Sequence, residues 1–434
     1  MEIHVVHPGD TLASIANEYD VPLSLLRTDN QLPDPSRLVT GQTIVVRQPV
    51  VTYTVQPGDT LFSIAEQSGL TPRQLLRLNP VLRGEPAVFA GQTLVLVDEE
   101  ERMGNILVTG YAYPFVDKGL LQRELPYLSG LIPFTYGIRP DGTLVELDDK
   151  ALIAAAQQLG VTPVMHLSTL TENGGFDSAL ATLVLNNMQV QDSIVNDIIS
   201  TMEQQGYRVL DVDFEFIPPQ DAVPYANFIS RLHDTLAPLG IPVIVALAPK
   251  TSADQTGLLY EGHNYALLGR AADAVLLMTY EWGYTYGPPL PVAPLPNVRR
   301  VVEYALTEIP AEKILLGIPN YGYDWTLPFI QGESRATSIS NQYAVTLAAD
   351  NGVDISFDSA AQAPFFRYQD DMGREHEVWF EDARSIRAKL SLISRYGLLG
   401  AGYWNLMRPF PQNWLVLNSM FFLQDDMSSL FPIV

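Results

Sequence analysis

The chain has 434 residues, 47% of them hydrophobic and 17% charged, a balance that can bury a core and excludes a mostly disordered protein. Its 26 Lys and Arg against 49 Asp and Glu leave a net charge of -23, which repels a phosphate backbone or an anionic lipid surface, so neither nucleic acid nor a membrane is an expected partner. The absence of Cys removes disulfides, thiolate metal sites and a cysteine nucleophile, and no apolar run reaches the roughly 18 to 20 residues of a membrane span.

In chain order the first feature is a repeat. HVVHPGDTLASIA at 4–16 returns as YTVQPGDTLFSIA at 53–65, and VTGQTIVV at 39–46 returns as FAGQTLVL at 89–96. Met1-Glu2-Ile3 leads straight into it, without the basic start, apolar stretch and cleavage site of a secretory signal. In each copy, alternation such as Val5 and His7 predicts a short strand, Pro-Gly a turn, and Asp10 or Thr11 a cap on a helix beginning near Leu12. Two β-helix-helix-β modules result, at 2–48 and 51–98. They resemble LysM modules in Pro8-Gly9-Asp10-Thr11-Leu12 and Pro57-Gly58-Asp59-Thr60-Leu61, in the central Asn, and in the closing Gly-Gln-Thr strand. The resemblance implies binding of peptidoglycan or another polymer containing N-acetylglucosamine (GlcNAc). The residues it points to are Gly9, Asp10, Thr11, Leu12, Asp29 and Asn30, with counterparts Gly58, Asp59, Thr60, Leu61, Asn79 and Pro80. On their own, Asp10 and Asp59 read equally well as helix caps. Asp98-Glu99-Glu100-Glu101-Arg102 reads as a charged linker.

From about residue 104 onward, short apolar runs alternate with helical stretches, the pattern of a parallel α/β fold. The runs are 106–111, 128–136, 162–167, 208–216, 242–249, 274–280, 313–321 and 400–406, and eight is the number that closes a TIM barrel. Val195, Ile198, Ile199 and Met202 give the apolar stripe of a helix packed on the barrel wall. Residues 322–378 exceed an ordinary connection and predict a subdomain inserted after the seventh strand. Catalytic residues of such barrels lie at the C-terminal ends of strands.

At the fourth strand, Asp211, Asp213 and Glu215 alternate in LDVDFEFIPP, which predicts one strand face with neighbouring Cα atoms about 6 to 7 Å apart. Three acids turned into a barrel core repel one another and lose solvation, so some hold protons near neutral pH, as a general acid requires. No histidine cluster accompanies them to make a metal site, and Pro218-Pro219 puts Glu215 at the rim. His166, near a strand end, reads as a core histidine, and Trp379 and Trp414 read as structural.

The Asp-x-Asp-x-Glu ending, with Met278-Thr279-Tyr280 on the sixth strand and Trp404 on the eighth, resembles glycoside hydrolase family 18 over about 330 residues. The resemblance implies a retaining reaction without a cofactor, in which the substrate's own acetamido oxygen attacks the anomeric carbon. It implies that Glu215 is the acid and then the base, that Asp213 orients the acetamido group, that Asp211 shares a proton with Asp213, and that Tyr280 hydrogen-bonds the acetamido oxygen. Trp404 would floor the sugar subsite, with Glu281, Asn320, Tyr321, Tyr111 and Trp325 as further candidate contacts; the aromatic ones read equally well as packing.

The commonest chitinase pattern has Asp-Gly where this chain has Arg208-Val209, Asp where it has Glu281, and a Ser-x-Gly-Gly segment that VMHLSTL lacks. The two repeats together with MTYEWGYTYGPP, GIPNYGYDW at 317–325 and VWFEDARS at 378–385 resemble the spore-cortex-lytic N-acetylglucosaminidases of endospore-forming bacteria. That likeness implies peptidoglycan as substrate and a location at the spore surface, cortex or cell wall. A chitinase and a non-catalytic glycan-binding coat protein are the alternatives.

Overall fold

Apolar alternation and Gly/Pro punctuation cut the chain into short strands, and the computed structural model, which describes residues 1–98, 101–170 and 175–430, assembles them into four sheets. In the first module β1 (Glu2–Val5) pairs antiparallel with β2 (Thr43–Val46), and in the second β3 (Pro49–Thr54) pairs with β4 (Thr93–Asp98). Between them lie α1 (Leu12–Glu18) and α2 (Leu23–Asn30), then α3 (Leu61–Gln67) and α4 (Pro72–Leu78). The threonines, not the aspartates, cap the first helix of each module. Thr11 and Thr60 accept the amides of Ser14 and Ser63, whose hydroxyl oxygens accept the threonine amides in return. Asp10 and Asp59 instead brace the turn, each accepting the amide three residues back at 2.7 Å. Of the charged linker, Glu99 and Glu100 lie outside the described residues, while Arg102 donates to Asp98 at 3.0 Å and to the Asn418 carbonyl at 2.8 Å.

The large domain is a closed parallel barrel. Its strands are β5 (Asn105–Ala112), β6 (Gly130–Pro133), β7 (Thr162–Ser168), β8 (Val209–Asp213), β9 (Val243–Leu247), β10 (Ala274–Leu277) and β11 (Ile314–Pro319). After β11 comes an inserted antiparallel sheet of β12 (Gly322–Thr326), β13 (Thr337–Ile339), β14 (Ser356–Asp358), β15 (Ala363–Gln369) and β16 (Glu375–Trp379). The eighth barrel strand, β17 (Gly400–Trp404), pairs with β11 on one side and β5 on the other. A short β18 (Phe422–Leu423) lies parallel to the start of β5. Side chains such as Leu107, Val164, Val209, Ile244 and Leu315 fill the barrel, while Leu210, Val212 and Phe214 face the helices outside. The helix Met188–Gln205 buries Val195, Ile198 and Met202 against that outer face.

Most barrel strands stop two or three residues before the apolar runs do. β6 covers 130–133 of the predicted 128–136, and β10 stops at Leu277 because the backbone turns tightly there: the Thr279 and Tyr280 amides donate to the Leu277 and Met278 carbonyls.

The modules are docked on the barrel through buried polar groups. Arg77 on α4 donates from Nε to the Pro126 carbonyl at 2.6 Å and from Nη1 to the Leu423 carbonyl at 2.8 Å, and pairs with Asp425 at 2.6 Å. Gln412 exchanges hydrogen bonds with Thr43 and donates to Asn30 at 2.9 Å. The two modules are joined by Arg47, which grips Asp29 with two bonds of 2.7 and 2.8 Å and donates to the Leu78 carbonyl at 2.9 Å. Arg47 and Asp29 are 3% and 2% exposed, so removing one partner strands a buried charge. Arg47→Met is expected to cost about 3–5 kcal/mol in denaturant unfolding, whereas the double replacement Arg47→Met with Asp29→Leu should recover most of it. A double variant as unstable as the single one would count against this account of the pair.

Candidate active site

β8 delivers two acids inward and then ends. Val209, Asp211 and Asp213 share the barrel-facing side, as period-two geometry requires. Glu215 lies beyond the strand, not on it. The strand stops because the Phe214 carbonyl accepts from His263 Nε2 at 3.1 Å and Phe216 adopts a left-handed φ of 55°, its carbonyl taken by the Ser178 hydroxyl at 2.8 Å. Burial holds His263 down to about pKa 4, so it is neutral; its Nδ1 accepts the Ala248 amide at 3.1 Å, which leaves Nε2 to donate. The Phe214 ring stacks on Tyr225 with centroids 5.6 Å apart. His263 and Tyr225 thus set the backbone that aims Asp213 and Glu215, and nothing in their local sequence marks them for this.

Asp211 is fully buried, and its Oδ2 accepts the Tyr111 hydroxyl at 2.7 Å. His166 Nε2 lies 3.6 Å from Asp211 and 3.8 Å from Asp213. Burial drives His166 down to about pKa 3, so it gives the acids no positive charge; its Nδ1 meets the Thr135 hydroxyl at 2.5 Å. Without a cation, burial pushes Asp211 up to about 8, against the Tyr111 hydrogen bond and with the charge of Asp213 adding. Burial likewise raises Asp213 to about 7. Glu215 rises through burial, then through Asp213 and Glu281. Burial thus raises the proton affinity of all three acids, and the charge of Asp213 adds to the rise of Asp211 and of Glu215.

This has a consequence for stability. A carboxyl raised by folding contributes stability below its ordinary value near 3.8 and loses it as pH rises through the folded value of about 8. The wild-type Tm is therefore expected to fall between about pH 5 and pH 9 by more than that of Asp211→Asn, read by calorimetry. Parallel Tm curves would show that Asp211 carries no proton in the folded protein.

Tyr280 reaches the same cleft from the turn after β10. Gly317 makes room for it: a Cβ there would meet the Leu277 carbonyl at 2.3 Å and the Tyr280 ring at 2.9 Å. The cleft, about 440 Å³, is lined by Asp213, Glu215, Tyr280, Glu281 and Trp404, with Tyr113 and Phe134 among its aromatic walls. Trp404 is propped edge-on by Phe134 and Tyr111 at 4.9 and 5.5 Å. Glu281, exposed and at a left-handed φ of 66°, accepts hydrogen bonds from the Tyr321 and Tyr323 hydroxyls. Nothing in the sequence around Tyr323 marks it for this contact.

Several expected sugar contacts spend their polar groups on the protein. Asn320, buried, donates to the Asn405 and Arg408 carbonyls at 2.9 and 2.8 Å and so fixes the segment after Trp404. Trp325 donates to the Gly287 carbonyl, Tyr111 to Asp211 and Tyr321 to Glu281. Trp379 stacks on Phe365 and Trp414 on Tyr127. In the modules, Asn30 and Asn79 each tie a helix end to the closing strand, exchanging bonds of 2.7–2.8 Å with Val45 and Val95. Asp29 is committed to Arg47, and Leu12 and Leu61 are core residues. Gly9, Thr11, Gly58 and Thr60 remain exposed, Asp10 and Asp59 partly so, and Pro80 borders a cavity of about 320 Å³ between the modules.

Residues 155–408 match glycosyl hydrolases family 18, and residues 4–47 and 53–97 match the LysM domain. The chain belongs to glycosyl hydrolase family 18. It is 42% identical to the cortical fragment-lytic enzyme of Bacillus subtilis over 97% of its own length and 98% of that protein's. It is also similar to two crystal structures of spore cortex-lytic enzyme SleL. That from Bacillus megaterium gives a TM-score of 0.83 at 37% identity, covering 98% of this chain and 99% of that one. That from Bacillus cereus gives 0.83 at 35%, covering 98% of each. A family 18 catalytic barrel thus carries two LysM domains, and the likeness to those enzymes runs over nearly their whole length.

Proposed function

We propose that this glycosidase hydrolyses the bond after GlcNAc in spore-cortex peptidoglycan, with retention, while its LysM domains hold it to the glycan. The observation that carries the reading is the cleft in which Asp213 and Glu215 meet Tyr280 and Trp404, in a chain similar along nearly its whole length to enzymes named for cortex lysis. The same likeness supports a location at the spore.

Glu215, kept protonated by burial, gives its proton to the glycosidic oxygen as the bond from that oxygen to the anomeric carbon breaks. The acetamido oxygen of the same GlcNAc attacks that carbon from the opposite side. Asp213, as an anion, accepts a hydrogen bond from the acetamido N–H and offsets the positive charge that develops, while Asp211, whose proton affinity burial raises further, stays neutral. The Tyr280 hydroxyl steadies the acetamido oxygen, and Trp404 carries the apolar sugar face. Glu215, now a carboxylate, takes a proton from water as that water opens the cyclic ion, which restores the acid.

The test is mass spectrometry of reducing ends released from purified cortex and from chitin oligomers, by the intact protein and by Glu215→Gln. GlcNAc ends from cortex, lost in the variant, are the expected result. A chitinase is the second reading, favoured by a fold likeness to a Chromobacterium violaceum chitinase with a TM-score of 0.68 at 25% identity over 72% of this chain. Products from chitin alone would replace the first reading with it.

A further inference from the structure

β1 and the turn after it bring His4, His7 and Asp10 together on the first module, with one potential ligand atom of each within 4.8 Å of the others. His4 Nε2 lies 3.0 Å from Asp10 Oδ2, and His7 Nδ1 lies 3.7 Å from the same oxygen. Ligand atoms about 2.0–2.2 Å from a tetrahedral zinc ion stand about 3.3 Å apart, and these two separations bracket that value. The third edge closes by rotation of His7, whose side chain is 74% exposed. His4 is fixed: it is 6% exposed, and its Nδ1 lies 3.2 Å from the Tyr19 hydroxyl, with the two rings edge-on at 88°. Because a hydroxyl both donates and accepts, Tyr19 can accept a hydrogen bond from Nδ1–H and leave the Nε2 lone pair for a metal, as outer partners of metal-bound histidines do.

The second module shows that the turn does not need these histidines. At the matching positions stand Tyr53, Gln56 and Asp59, and Asp59 Oδ2 accepts the Gln56 amide and the Tyr53 hydroxyl, both at 2.7 Å. The fold thus uses the aspartate twice and the histidines once. Among the described residues no other group of three His, Asp or Glu meets in this way. His376, flanked by Asp324 and Asp370, is differently placed: Arg374 pairs with Asp370 at 2.6 Å and Tyr368 donates to Asp324 at 2.8 Å.

We propose that His4, His7 and Asp10 bind a borderline transition-metal dication of the zinc class through two imidazole nitrogens and one carboxylate oxygen, with a fourth position open to solvent. Two nitrogens and one oxygen in tetrahedral reach suit zinc better than calcium or magnesium, which take oxygen ligands at higher number.

The experiment is isothermal titration of zinc chloride into the full chain, stripped of metal and carrying no histidine tag, with His7→Gln and the double variant His4→Tyr with His7→Gln, which installs the second module's residues. One zinc per chain is expected for the intact protein, together with a zinc-dependent rise in Tm. His7→Gln should weaken binding by more than the roughly 10–100-fold that loss of an outer partner costs, and the double variant should lose both the binding and the Tm shift. Titration that finds no zinc uptake overturns the proposal, and so does equal affinity in His7→Gln, whose exposed side chain can be changed without unfolding the module.

Discussion

Glu215→Gln is expected to lower kcat on soluble cortex fragments by about 10³-fold, within the 10²–10⁴ that a positioned general acid contributes. KM should change little, because Gln keeps the volume and the hydrogen bonds of the ground state but carries no proton that can be given up. Glu215 sits just beyond β8 at the cleft, and its proton affinity is raised by burial and by Asp213 and Glu281. Wild-type activity is therefore expected to fall on the alkaline side as that proton is lost. Steady-state kinetics decide the matter: a loss below about tenfold would assign the acid elsewhere.

Asp213→Asn is the second large effect, about 10²–10³-fold in kcat, the size seen when one preorganised partner of developing charge is removed. The pH profile distinguishes this from a loss of packing. In the wild type, burial raises Asp211 to about 8 and Asp213 to about 7, and the charge of Asp213 adds to the rise of Asp211. In the variant no negative charge remains at 213, so Asp211 and Glu215 both lose a repulsive neighbour and their proton affinities fall. The alkaline limb of kcat/KM should accordingly move to lower pH. A variant with an unmoved limb and near-normal kcat would remove Asp213 from the reaction. Glycans with glucosamine in place of GlcNAc at the cleaved position should resist wild type and variant alike, because the attacking oxygen is missing.

The parts of this molecule that the sequence makes legible are those governed by short-range rules. The two modules announce themselves because the strand, turn and capping threonine lie within a dozen residues, and Asp211 and Asp213 fall on one face because strand geometry fixes it. Glu215 extends the same alternation by one step too far for a strand, since the event that ends β8, a histidine from 49 residues downstream taking the Phe214 carbonyl, leaves no local trace. The tyrosines that hold Glu281 come from 40 and 42 residues away. Asn30 and Asn79 illustrate a different limit. A residue repeated in both modules because each must splice a helix to a strand looks the same, in sequence, as one repeated to touch a ligand. Arg73 and Arg77, one helical turn apart on α4, do carry a signal, because guanidinium groups buried on a small module need partners from outside it.

Those partners impose an order on assembly. Arg77 binds Leu423 and Asp425, 346 and 348 residues further on, and Thr43 binds Gln412 across 369. A ribosome emits the modules first, and their local contacts let them fold early. Their seats on the barrel are completed only when the last few dozen residues have emerged: Pro126 offers Arg77 a carbonyl early, but Leu423, Asp425 and Gln412 arrive at the end of synthesis. The C-terminal segment is thus the latch of the molecule: a chain truncated shortly before residue 412 would lack the Gln412, Leu423 and Asp425 partners that Thr43 and Arg77 hold.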